Sequence, residues 1–230
     1  MISCEKAETF IKKIENESQD LIFIDPPYEI NYQKLKWDSP DIIDWEYLIK
    51  DFYRVLKPNG QMLVMCGWSN YPEVIKNYTE QGFYLKNSIV WDRVKGRGAK
   101  TNLMSTREEI LWFVKNPKKY TYNRIYSTTK KKTIGLKSNS IYRSLSNVWT
   151  DISPLVPWGK EKKLWYHPTQ KPYKLSERIV TIWSNEGDNV TDFFMGTGVT
   201  AEVCKNLKRN FNGCDKTKIY YDKAIKRLGN

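Results

Sequence analysis

The chain has 230 residues, enough for one domain of generous size or a domain carrying an insertion. Its 40% apolar and 14% aromatic content can fill a packed core, which excludes wholesale disorder, and no run of about 18 apolar residues offers a spanning helix. The formal charge of +12, from 38 Lys and Arg against 26 acids, suits a chain that meets a polyanion.

The opening MISCEKAETF has an acid at Glu5 and no apolar stretch behind a basic one, so it does not read as a signal peptide. Asp20–Ile24 is a short apolar run that ends abruptly at Asp25-Pro26-Pro27-Tyr28, the pattern of a buried strand in a parallel sheet. Asp41–Leu56 has apolar residues at helical spacing and is stopped by Lys57-Pro58-Asn59-Gly60. Gln61–Cys66 reads as a second buried strand, Pro72–Gln81 as a helix, and Ser88–Trp91 and Ile110–Val114 as strands. From Asn116 to Glu161 no periodicity is sustained, and the expectation is a loop-rich insertion rather than a separate domain. Order returns with a helix over Tyr173–Ser184, a strand over Asn189–Phe193, a helix over Gly196–Leu207, a strand over Asn210–Gly213 and a closing helix over Lys216–Leu228. Strands and helices alternating at both ends indicate an α/β, doubly wound sheet.

Charge is confined to one part of that frame. Arg93 to Lys174 holds 19 Lys and Arg against four acids, Glu108, Glu109, Asp151 and Glu161, for a net of +15, which leaves the other 148 residues at −3. A coding bias toward Lys would be global; a basic block interleaved with Tyr120, Tyr122, Tyr126, Tyr142, Trp149, Trp158, Trp165 and Tyr166 is the footprint of a nucleic-acid binder. Cys4, Cys66, Cys204 and Cys214 lie far apart with no CxxC pair, which fits a reducing cytoplasm and leads us to expect neither a metal nor a disulfide framework.

Three segments carry chemistry. Asp25-Pro26-Pro27-Tyr28 follows a strand of a parallel sheet, where such folds bind their ligands. Its prolines stiffen the turn and leave carbonyls without donating amides, so a carboxylate, a carbonyl and a ring lie together and can accept both hydrogens of an exocyclic amine; the same tetrapeptide could equally be a turn with Asp25 as cap and Tyr28 in the core. Asp192-Phe193-Phe194-Met195-Gly196-Thr197-Gly198 is a glycine turn from strand into helix, without the third glycine of the dinucleotide fingerprint. Seventeen residues after Gly198, Asp215 ends the next strand, where a carboxylate can take both ribose hydroxyls of an adenosine-containing cofactor. In His167-Pro168-Thr169-Gln170-Lys171-Pro172 the chain's single histidine reads as structural, while Thr169 and Lys171 could hold a cofactor carboxylate or anchor the turn.

DPPY, then HPTQKP, then DFFMGTG and an acid one strand later resembles the β group of DNA amino-methyltransferases, in which the catalytic tetrapeptide is N-terminal and the cofactor turn C-terminal. SIVWDRVKGRGAKTNLMSTREEILWFVKN and VWTDIS are similar to family segments too. The resemblance implies a Rossmann-like S-adenosylmethionine-dependent fold in permuted order, a single methyltransferase domain over residues 1–230 with a target-recognition insertion over about 93–165, and double-stranded DNA as substrate. It implies that Asp25 and the carbonyl of Pro26, held by Pro27, accept the amine of a flipped base, that Tyr28 stacks on it, and that the amine attacks the methyl directly. It assigns the cofactor to Asp25, Phe194, Gly196, Thr197, Gly198 and Asp215, with Thr169 and Lys171 at the methionyl end, and the DNA backbone to Arg93, Lys95, Arg97 and Lys100 around Gly96 and Gly98. DPPY rather than SPPY favours adenine N6; cytosine N4, an RNA substrate and a non-catalytic DNA-binding subunit are the alternatives. Members usually carry a Gly-Asp before the first helix to hold the cofactor's adenine; here Glu5, or no residue, fills that role. Relatives often dimerise and work beside a restriction endonuclease, so a homodimer and a cognate endonuclease are the partners it brings with it.

Overall fold

The structure, a computed structural model, describes residues 1–28, 43–97, 100–101, 103–130, 141–156, 159–165 and 167–229. Its elements are β1 (Ile2–Ser3), α1 (Ala7–Phe10), β2 (Gln19–Ile24), α2 (Trp45–Val55), β3 (Leu56–Cys66), α3 (Tyr71–Glu80), β4 (Tyr84–Arg97), β5 (Ser105–Val114), β6 (Tyr126–Lys130), β7 (Tyr142–Ser144), β8 (Val148–Trp149), α4 (Lys160–Trp165), α5 (Tyr173–Trp183), β9 (Asn189–Asp192), α6 (Val199–Asn206), β10 (Asn210–Cys214) and α7 (Lys218–Arg227). Among the described residues eight strands form one sheet in the order β1-β10-β9-β2-β3-β5-β4-β8.

β1, β10, β9, β2 and β3 run parallel, whereas β5 is antiparallel to both β3 and β4. The expected doubly wound frame is therefore present, extended at one side by an antiparallel pair. Both faces of β2 are covered, which is why its sequence is a continuous apolar run. Ile22 and Ile24 join a core cluster with Phe52 of α2 and Tyr78 of α3, while Leu21 and Phe23 join a second with Leu175 and Ile179 of α5. The beginning of α2 is set by Asp44, whose carboxylate accepts from the Tyr47 N–H at 3.0 Å. Residues 41 and 42, expected at its start, lie outside the described residues. Lys57-Pro58-Asn59-Gly60 does end α2, but within β3: the register jumps from Gln19↔Leu56 to Leu21↔Gln61, so the four residues bulge from the strand.

The loop-rich insertion is only partly irregular. β6 and β7 pair as a small separate sheet, and β8 pairs with β4 through Val90↔Val148 and Trp91↔Trp149. Strands of two to five residues leave little periodicity to read. Trp149 is nevertheless 2% exposed, packs on Trp183 with ring centroids 6.3 Å apart and carries the Arg178 guanidinium 5.0 Å above its ring. Replacing Trp149 by Ala should cost about 3–5 kcal/mol in urea unfolding, the usual cost of a buried aromatic; a loss below about 1 kcal/mol would mean that the segment does not belong to the core.

Candidate active site

At the β2–β9 pair the crossovers diverge. β2 passes through α2 to β3 on one side, and β9 through α6 to β10 on the other. The carboxyl ends of such a pair open a crevice, and here it is a cavity of about 480 Å³, within the range of small-molecule sites. Asp25, Pro26, Pro27 and Tyr28 line it beside Phe194, Gly196, Thr197 and Asp215, and beside Thr169 and Lys171. Segments far apart in the chain thus share one enclosure.

Asp25 is the centre of a buried polar cluster. Lys171 Nζ lies 2.6 Å from Asp25 Oδ2 and 3.3 Å from Glu108 Oε2, with the side chains of Lys171, Asp25 and Glu108 only 11%, 23% and 14% exposed. The Tyr28 hydroxyl donates to Asp25 Oδ1 at 3.1 Å and stands 3.5 Å from Glu108 Oε2, and Asn70, just past β3, donates to the Tyr28 carbonyl at 3.2 Å. Burial, reinforced by the Glu108 charge, raises the Asp25 carboxyl above its ordinary range against the pull of Lys171. Burial works to lower Lys171, but Asp25 and Glu108 outweigh it and raise its pKa, so it stays a cation. Burial also carries the Tyr28 phenol well above its usual value, so its hydroxyl remains a donor.

The glycine turn forms the opposite wall. Gly196 has φ +51°, and a Cβ added there would find nothing nearer than the His167 ring at 3.9 Å, so the backbone stands open to a ligand. Its N–H donates to Asp215 Oδ2 at 3.0 Å, and the Thr217 N–H donates to Oδ1 at 2.7 Å. Asp215 is thereby fixed in place with acceptor capacity left over, which suits a diol. Gly198 is a correction: it does not line the cavity. At φ +77° it faces α7, and a Cβ there would lie 2.8 Å from that of Ala224, so this glycine serves helix packing. Gln170 was not singled out by the sequence. It accepts from Thr197 Oγ1 at 3.1 Å and donates to Glu161 Oε1 at 3.0 Å, tying HPTQKP to the glycine turn.

Other expectations shift. Glu5 turns away to Lys13 at 2.7 Å; Lys6, Ala7 and Glu8 line the cavity instead. Lys171 meets the DPPY acid rather than standing free for a cofactor carboxylate. Arg93 is engaged by Glu108 at 3.3 Å and by the Ser105 carbonyl at 3.1 Å. Lys100 is exposed, and Gly98, Trp158, Tyr166 and the side chains of Lys95 and Arg97 lie outside the described residues. Glu108 carried one readable signal, as an acid in an otherwise basic block.

Two buried cysteines and the histidine are chemically quiet. Burial pushes the Cys66 and Cys204 thiols up to about 12, far from thiolate formation. Burial, followed by the charges of Lys171, Lys162 and Lys223, lowers His167 to about 3. Its Nδ1 accepts from the Thr169 N–H at 3.2 Å, and its ring packs edge-on against Tyr220 at 4.2 Å. The structural reading of this histidine therefore has a physical basis. No group of metal-holding side chains occurs among the described residues, and no helix there is long and apolar enough to cross a membrane.

A Rossmann-like sheet with a cavity at its switch point, lined by Asp25-Pro26-Pro27-Tyr28 on one wall and by a glycine turn with a paired acid on the other, is the frame of an enzyme that binds an adenosine-bearing cofactor. The profile of the N6/N4 methyltransferase family, described as DNA methylase, matches residues 19–226, and the chain belongs to this family as a β-group DNA amino-methyltransferase. It is 36% identical over 98% of its length to the type II methyltransferase M.HpaI of Haemophilus parainfluenzae, covering 73% of that protein. It is 34% identical over 95% of its length to the DNA adenine methyltransferase YhdJ of Escherichia coli strain K12, covering 79% of it. The crystal structure of an M1.HpyAVI–SAM complex superposes with a TM-score of 0.69 at 28% identity, over 99% of both chains. S-adenosylmethionine is the cofactor; the open Gly196 backbone and the acid beside it suit its ribose, and the cavity has the room.

Two titrations follow from the site. Burial pushes the Asp192 carboxyl from 3.8 up to about 7, against hydrogen bonds from the Phe194 N–H and the Thr200 hydroxyl. A raised folded-state pKa gives stability that is complete below 3.8 and is lost as pH climbs through about 7. Wild type should therefore lose stability over this window relative to Asp192→Asn, at up to about 1.4 kcal/mol per pH unit, in denaturation at stepped pH; parallel curves would refute the shift. The His167 ring resonances should stay fixed between about pH 5 and 8 by NMR, where an ordinary imidazole titrates.

Proposed function

We propose that the chain methylates adenine N6 at specific sites in double-stranded DNA. The observation that carries this reading is the meeting of DPPY with the glycine turn and Asp215 around one cavity. Adenine is supported by the DPPY form and by the adenine methyltransferase named among the relatives. The target amine is paired and stacked in a duplex, so the base is flipped into the cavity.

Asp25 and the carbonyl of Pro26 accept the two amine hydrogens and draw the nitrogen lone pair out of conjugation. Pro27 holds that geometry, and the Tyr28 ring packs on the base. S-adenosylmethionine supplies a methyl group on a sulfonium sulfur. Asp25, raised by burial, takes the proton that the amine sheds. On the opposite wall Asp215 holds the ribose hydroxyls, Phe194, Gly196 and Thr197 shape the cofactor pocket, and Thr169 lies toward the methionyl end. Residues 1–230 act as one methyltransferase domain, with about 93–165 as its target-recognition part. Lys95, Arg97 and Lys100 contact the DNA backbone there. The type II name of one relative supports pairing with a restriction endonuclease, and the short recognition part supports work as a homodimer.

Labelled S-adenosylmethionine with mixed genomic DNA, followed by nucleoside analysis, tests the reading. Wild type should yield N6-methyladenine, and Asp25→Ala should fall by at least about 10²–10⁴-fold, the usual weight of an acid–base group. N4-methylcytosine would overturn the base and keep the site; unchanged transfer by Asp25→Ala would overturn the site.

A further inference from the structure

Both oxygens of Asp25 are already occupied: Oδ2 by Lys171 at 2.6 Å and Oδ1 by the Tyr28 hydroxyl at 3.1 Å. Each oxygen keeps a second lone pair. An ammonium at 2.6 Å nevertheless draws on the same negative charge that the amine hydrogens need, so the amine is held strongly only if a donor gives way. A phenol that keeps its proton has a single hydrogen to donate, so Tyr28 serves one acceptor at a time. A buried ammonium cannot leave its carboxylate for nothing, because an uncompensated charge in the interior is costly.

Glu108 answers both requirements with one atom. Its Oε2 lies 3.3 Å from Lys171 Nζ and 3.5 Å from the Tyr28 hydroxyl, a few tenths of an ångström beyond an ordinary hydrogen bond. Its other oxygen is held by Arg93 at 3.3 Å, and Arg93 is in turn tied to the Ser105 carbonyl at 3.1 Å. Glu108 lies opposite Trp91 in the β4–β5 ladder, so its backbone is fixed. Its neighbour Glu109 points to the other face, where it pairs with Arg107 at 2.9 Å and is approached by the Ser88 hydroxyl. Two carboxylates and two cations balance, so a donor can move from Asp25 to Glu108 without changing the net charge of the site.

We propose that Glu108 is a positioning residue, a second acceptor that takes Lys171 and the Tyr28 hydroxyl from Asp25 as the target amine arrives. This rests on Asp25 being the amine acceptor. Without Glu108, Lys171 stays on Asp25 and competes with the substrate; without Lys171, most of that competition is gone and Glu108 matters less. A residue that merely braces the fold has no such dependence.

The test measures kcat and KM for DNA, with the S-adenosylmethionine Kd from calorimetry, for wild type, Glu108→Gln, Glu108→Asp, Lys171→Met and the Lys171→Met/Glu108→Gln pair. Glu108→Gln should lower kcat by about 10²-fold, the lower weight of a group acting on an acid–base residue, with cofactor Kd little changed. Glu108→Asp, a charged acceptor on a shorter arm, should lie between it and wild type. The double variant should be no slower than Lys171→Met alone. A Glu108→Gln kcat within about twofold of wild type, an Asp variant as slow as the Gln one, or penalties that multiply in the double variant would each overturn the inference. Failure of the wild type to methylate DNA would instead sink the proposed function itself.

Discussion

The parallel pairing of β2 with β9 is the constraint on which the site depends. It joins strands from opposite ends of the chain through Leu21↔Val190 and Ile22↔Thr191. The amino ends of the two strands are bolted together: the Asn189 N–H donates to Asp20 Oδ2 at 2.9 Å, its side chain donates to the Ser18 carbonyl at 2.9 Å, and the Thr191 hydroxyl donates to Gln19 Oε1 at 2.5 Å. Lys57 closes the group on Asp20 at 2.7 Å. With polar groups satisfied there, the carboxyl ends can part, and the crossovers leave in opposite directions. DPPY and the glycine turn face each other for this reason, whatever their order in the chain.

The cavity's interior illustrates how function is bought with buried charge. Taking Asp25, Lys171 and Glu108 out of water costs several kcal/mol per ion before their attraction is counted, so such a cluster contributes little net stability (roughly neutral against an apolar replacement). In the proposed reaction its value is that a carboxylate and a second acceptor stand within reach of the target amine, so that donors can be exchanged at little cost in net charge. A second polar network stands behind it. Arg227 lies 2.9 Å from Glu202 and stacks over Trp165 at 4.8 Å, and Gln170 links Glu161 to Thr197. Through these contacts α4, α6 and α7 hold the HPTQKP turn, and with it Lys171, against the cofactor wall.

The parts of the site that were legible are those whose chemistry demands particular residue types in sequence. A carboxylate followed by two prolines and an aromatic ring after an apolar run, and a glycine turn followed by an acid one strand later, each imply a geometry locally. Glycine itself was ambiguous: Gly196 and Gly198 both adopt positive φ, but one opens to the cavity and the other makes room for Ala224, and no local rule tells these uses apart. Likewise the acid near the N-terminus could be guessed only by type; which of Glu5 and Glu8 reaches the cavity depends on where α1 begins.

By itself the sequence determined the α/β class, the strand ends where chemistry sits, the family and the confinement of positive charge, because these follow from periodicity and residue type over a few neighbours. The tertiary structure alone decided what meets across the chain. Trp149 became core because β8 docks on β4, Arg93 was drawn to Glu108 rather than to solvent, and Lys171 found Asp25 across 146 positions of chain. Those outcomes depend on which strands pair and in what register, and a contact between distant residues leaves no periodic trace in either segment.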